Sequence, residues 1–141
     1  MRGAARHVGQ SLAEFSLVIG LLLFIICGSC DAVQLALTTI SVTEAASTAA
    51  HQAALIGGDD GPEGTVVQTA RAVLATGITT RFGQATVQVV CQTPCQRYQP
   101  ITVTVVFEDA RWFPIISPTL RVERQAVRAA EKDQSVPLSL P

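Results

Sequence analysis

Hydrophobic and polar positions divide the chain into three regimes. From Phe15 to Cys30 the run FSLVIGLLLFIICGSC carries no charge, and between Glu14 and Glu44 the one charged residue is Asp31. That run is slightly short of the roughly 20 residues that cross a hydrocarbon core. Counted from Leu12 and carried past Asp31 through AVQLAL, the apolar helix reaches roughly 25 residues, near 37 Å at about 1.5 Å per residue. A transmembrane helix over about 12–37 is therefore predicted. A buried core helix is disfavoured, because the rest of the chain is too short to wrap it on all sides.

Beyond the run the period becomes helical and amphipathic. Val42, Ala45, Ala46, Ala49, Ala50 and Ala53 fall on one face, with Glu44, Ser47, Thr48, His51 and Gln52 on the others. One continuous N-terminal helix over 10–56 is expected. Its alanine stripe is narrow enough to pack on the chain's own domain or against neighbouring subunits. The segment 57–64, GGDDGPEG, breaks it with four glycines and a proline. Its carboxylates Asp59, Asp60 and Glu63 lack the spacing of a calcium loop and read as a solvated turn. A second helix of about 11 residues follows, with Thr65 as N-cap, Gln68 completing a capping box, an apolar face of Val66, Ala70, Val73 and Leu74, and Gly77 as its C′ stop.

The period then drops to two. Val87, Val89 and Cys91 alternate with Thr86, Gln88 and Val90, and Ile101, Val103, Val105 and Phe107 alternate with Thr102, Thr104 and Val106. These are strands, and the short connection between them makes an antiparallel hairpin. A third strand is expected near 120–129. Arg124 interrupts its alternation before Val127; a bulge would reconcile the two, and a helix is the alternative. The fold class is α+β: a long N-terminal transmembrane helix, then a small head over 65–141 with one short helix and a three-stranded antiparallel sheet.

Composition agrees with this division. Hydrophobic residues make up 48 % of the 141 residues and charged residues 15 %, against about 25 % charged in a soluble domain. The apolar excess is concentrated in the one segment. A net charge of −1 argues against nucleic acid as a partner, and the wealth of aliphatic residues argues against a disordered chain. Arg2 and Arg6 precede the apolar run and the next basic residue is Arg71. Positive charge is held on the cytoplasmic side, so the N-terminus stays inside and residues from about 44 onward are exported. A cleaved secretory signal would need a small-x-small site soon after the run, and none is clean.

Little in the chain points to catalysis. His7 lies in the basic leader and His51 on the polar side of the alanine helix. Asp59/Asp60 and Glu108/Asp109 are adjacent in sequence and, on a strand, such neighbours point to opposite faces. No enzyme activity, cofactor or metal is expected. Cys91 and Cys95 fall in the exported hairpin region, where an oxidising compartment favours a Cys91–Cys95 disulfide. Cys27 and Cys30 lie within the apolar run and read as small hydrophobes. Trp112, Phe113, Pro114, Ile115, Ile116 and Pro118 form the one dense apolar-aromatic loop. It is expected to plug the small sheet, with an exposed subunit contact or adhesive patch as the alternative.

The residues just before the apolar run are Gly9-Gln10-Ser11-Leu12-Ala13-Glu14-Phe15. A carboxylate at the edge of a membrane helix is costly unless partnered, although the first turn of a helix favours negative charge. A basic leader ending in Gly, with Glu at the fifth position beyond and then an aromatic and aliphatic run, resembles the processing site of type IV prepilins. The order GQSLAEFSLVIGLLL is similar to the TadE/TadF-like subunits of the Tad (Flp) pilus system. ITVTVVFEDARWFPIISPTLRVERQAV is similar to that family's closing pattern. The resemblance implies a leader over 1–9 and cleavage by a prepilin peptidase between Gly9 and Gln10. It implies a role for Glu14 and Phe15 in assembly, with Glu14 pairing with the N-terminal amine of a neighbouring subunit. The implied partners are the peptidase, other pilin subunits, the Tad assembly machinery and membrane lipid. The implied function is that of a non-catalytic minor pilin or pseudopilin in the bacterial cytoplasmic membrane, with its head outside, possessing a place in a pilus for surface attachment. The rival reading is a single-pass anchor, never processed, that displays a small binding domain.

Overall fold

The computed structural model describes residues 4–58, 61–81, 83–91, 95–113 and 117–133. Helix α1, Ala4–Ile56, runs unbroken for 53 residues, about 80 Å at the α-helical rise. It starts ahead of the expected position 10, so residues 4–9 and the apolar run form one rod. It ends at Gly57, whose φ of +84° is the left-handed conformation glycine adopts most readily. The Gly57 and Gly58 N–H groups both donate to the Ala53 carbonyl.

Helix α2, Thr65–Thr76, packs against α1 and ends close beside it. Strands β1 (Gln84–Val90), β2 (Pro100–Ala110) and β3 (Thr119–Ala129) form an antiparallel sheet in the order β1-β2-β3. The pairing runs from Gln84↔Glu108 to Val90↔Thr102 on one side of β2 and from Pro100↔Ala129 to Ala110↔Thr119 on the other. β2, the central strand, buries Ile101, Val103, Val105 and Phe107 on its inward face, as alternation favours in a strand covered on one face.

What covers that face is the C-terminal half of α1. Val42, Ala45, Ala46, Ala49, Ala50 and Ala53 are all buried, in one cluster with β2, with Leu120 and Val122 of β3 and with Val66, Ala70 and Leu74 of α2. The alanine stripe therefore packs on the chain's own head. Alanine lets the helix lie close to a sheet whose side chains supply the bulk. The outer face of the sheet, from Thr86 and Gln88 to Arg121 and Glu123, is open. An exposed cross-strand pair there, Arg121 with Glu108 at 3.3 Å, contributes little stability.

Three local expectations are corrected, and the expected third strand is present without a bulge. The N-cap of α2 is Gly64, and Thr65 is its first helical residue. The Gln68 side chain donates back to the Glu63 carbonyl at 2.8 Å, so the capping box does not form. Gly77 closes α2 with an extended backbone (φ −73°, ψ 140°). Its smallness serves proximity, since a Cβ there would collide with Thr80 Oγ1 and come within 2.9 Å of Ser41 Oγ of α1. β3 is a strand, paired one-to-one with β2 along its length without a bulge. Arg124 keeps its phase opposite Val105 but is exposed on this edge strand, and Val127 faces outward. Finally, Trp112 and Phe113 do not plug the sheet; they are 51 % and 40 % exposed. Pro114, Ile115 and Ile116, like Asp59 and Asp60, lie outside the described residues.

Candidate functional site

The sequence-predicted residues divide between the two ends of the molecule. Gly9 and Gln10 lie in the second turn of α1 and are followed on the same rod by Glu14 and Phe15, both exposed. From there the large apolar side chains are unpartnered. Leu17 is 72 % exposed and Leu12, Phe15 and Phe24 are nearly as open. The most apolar 18-residue window of this helix has a mean hydropathy of 2.3 and no residue buried inside the protein. An apolar surface of that length, with its backbone bonds satisfied within the helix, suits a hydrocarbon solvent.

A second set of residues marks where this rod meets the head. On the face that carries Val42 and the alanines, the preceding positions are Thr38, Gln34 and Asp31, spaced by four, four and three residues. Thr38 and Gln34 are buried. Thr38 Oγ1 donates to Thr79 Oγ1 at 3.0 Å, beyond the end of α2. Gln34 grips the end of β2 with both ends of its amide. Its Nε2 donates to the Ala110 carbonyl at 3.0 Å and its Oε1 accepts the Trp112 N–H at 3.0 Å. Asp31 Oδ1 accepts the Phe113 N–H at 3.2 Å, and Asp31 Oδ2 lies 3.7 Å from Arg111 Nη1. The Arg111 N–H in turn donates to the Pro118 carbonyl, closing the β2–β3 loop. Asp31 and Gln34 thus tie three successive residues of that loop, Arg111 to Phe113, to the helix.

Sequence reasoning missed this junction, although its signals were present. Asp31 is the one charge in a long apolar stretch, and Gln34, Thr38 and Val42 continue its helical face. A carboxylate at the margin of an apolar span requires a partner. The head supplies one from a strand end some 80 positions along the chain.

At the opposite end of the sheet, Cys91 and Cys95 have their Cα atoms 5.6 Å apart and their sulfurs paired, with Cys95 buried. Cys27 and Cys30 are free and half-buried on α1. His51 is exposed near Arg97, Tyr98 and Arg128 in a shallow hollow. Among the described residues no three His, Cys, Asp or Glu side chains gather as a metal site.

Comparison with known proteins addresses the rod. Residues 9–51 match the family model described as TadE-like protein. No curated protein and no solved structure matches the chain. The matched segment starts at Gly9, takes in the whole exposed apolar run and the Asp31–Gln34 junction, and ends within the buried alanine stripe. Together with the one apolar helix near the N-terminus, this points to a membrane anchor. Residues 9–51, less than a third of the chain, are thus similar to the TadE-like family.

Proposed function

We propose that this chain is a minor pilin or pseudopilin that works by assembly and not by catalysis. It enters the bacterial cytoplasmic membrane with its N-terminus inside and its head outside. A prepilin peptidase removes residues 1–9, leaving Gln10 as the new N-terminus. Glu14 then partners the N-terminal amine of a neighbouring subunit in the Tad assembly machinery, and Phe15 packs beside it. Two opposite charges attract strongly where the dielectric is low, and each is costly there alone. The product takes part in a pilus used for surface attachment. Cys91 and Cys95 form a disulfide that braces the distal end of the exported head.

The observation that carries this reading is the placement of Gly9-Gln10 and Glu14-Phe15 at the start of an exposed apolar rod that continues without a break into the head. Cleavage at Gly9 would leave that rod as a spine with its membrane half free for other subunits. The first test is the mature N-terminus, read by mass spectrometry of membrane fractions, which is expected at Gln10. An intact Met1 start would make the protein an unprocessed single-pass anchor. In the second test, Glu14→Ala is expected to leave membrane insertion intact and abolish incorporation into filaments. Unchanged assembly would remove the role given to Glu14.

A further inference from the structure

The exposed aromatic pair at the β2–β3 loop sits at a defined height along α1. About 30 Å of helix counted from Phe15, the thickness of a hydrocarbon core, ends near Gln34. Gln34 is the residue that holds the Ala110 carbonyl and the Trp112 N–H, and Asp31, one turn earlier, holds the Phe113 N–H. The loop is therefore fixed level with the end of the apolar span. On the sides of α1 that the head leaves open, apolar exposure continues past this level through Leu35, Leu37 and Ile40. The distance from Leu12 to Ile40 is about 42 Å, which matches a bilayer with its headgroup layers. At that height Trp112 and Phe113 present apolar rings that the head does not cover, although their backbone N–H groups are satisfied.

We propose that Trp112 and Phe113, just beyond β2, are a second membrane contact, seated in the lipid interface beside α1. This rests on the reading of α1 as a membrane span. Aromatic rings prefer this layer, where an apolar body meets hydrocarbon and the polar edge of an indole meets headgroups and water. The contact also accounts for Asp31. Its carboxylate would sit at the inner edge of the interface, and Arg111 together with the Phe113 N–H covers its charge on the side facing the head. Helix and loop then hold the head at two points, which sets its tilt against the bilayer before any filament forms.

Trp112 is the one tryptophan of the chain, so its fluorescence reports this loop alone. The full-length protein is reconstituted in phosphatidylcholine–phosphatidylglycerol vesicles and recovered by flotation. Its emission is then read with the phosphatidylcholine brominated either near the headgroup end of the acyl chain or near the bilayer centre. The expected result is about a twofold loss of emission with the shallow bromines and a much smaller loss with the deep ones, as for a ring at the interface. Protein that floats with the vesicles but keeps its full emission in both would overturn the proposal and leave the membrane anchor standing. That outcome would assign the aromatic pair to a protein neighbour. Protein that fails to float would overturn the anchor and this contact with it.

Discussion

Gln34 does at one position what the rest of the junction does with several. It is a polar side chain 1 % exposed, and both ends of its amide are used on the backbone of β2 and the loop beyond. Replacing it by alanine leaves the Ala110 carbonyl and the Trp112 N–H without their partner, a loss of about 1–3 kcal/mol. The expected outcome of Gln34→Ala is faster hydrogen exchange at the Trp112 and Phe113 amides, with exchange along the centre of β2 unchanged. Protection that fell equally across the sheet would mean Gln34 stabilises the head as a whole and does not position the loop. Sequence reading could place Gln34 on a helical face but could not reveal its role. A glutamine in an amphipathic helix is ordinarily solvated, and its partners lie 76 and 78 positions away. Thr65 and Gln68 show the converse. Their spacing has the form of a capping box, yet the helix takes Gly64 as its cap, because local spacing alone does not determine where the chain turns into the helix.

At the level of elements, what was legible is what has a period. The alternation in Ile101, Val103, Val105 and Phe107 predicts β2 and its inward face, and the i, i+3, i+4 spacing of Val42 to Ala53 predicts the stripe that covers it. The partner of that stripe was not legible, since alanines suit both a sheet of the same chain and a neighbouring helix. The structure shows the sheet, and this gives a size constraint. Ala49 is fully buried, so Ala49→Leu forces additional methylenes between α1 and its partners. Overpacking of this kind costs about 1–3 kcal/mol. Phe107→Ala, which instead empties the other side of the same layer, costs about 3–5 kcal/mol. Both are read by thermal or urea unfolding of the head. If Ala49→Leu were neutral, the contact between α1 and the sheet would be looser than full burial implies. β3 was harder to read because Arg124, opposite Val105 on the inward phase of an edge strand, is exposed, and a charged residue in an apolar phase reads as a break.

The whole molecule is two bodies on one helix, and the division falls between Cys30 and Gln34. Among the described residues, every buried side chain lies at Gln34 or later, whereas the large apolar residues from Leu12 to Ile26 are all exposed. The membrane half of α1 therefore adds nothing to the core of the head. A fragment starting at Asp31 keeps the clamp, the alanine stripe, α2 and the sheet. It is expected to fold alone, with a single cooperative transition and a stability near the low end of the usual range, about 5 kcal/mol. Val33, Leu37 and Ile40 remain on its surface, so polar substitutions at these three positions are expected to improve solubility while leaving the unfolding midpoint in place. Reduction of a Cys91–Cys95 disulfide, which closes a very short loop, is expected to cost about 2 kcal/mol and to leave the fold intact. The measurement is denaturant unfolding followed by near- and far-ultraviolet circular dichroism. Helical signal without a cooperative transition would show that the head depends on the apolar half of the rod, against the exposure of every large side chain there. A cooperative transition would establish that the head is a finished domain without the apolar half of the rod, which is what the proposed passage of that half from lipid to neighbouring subunits requires.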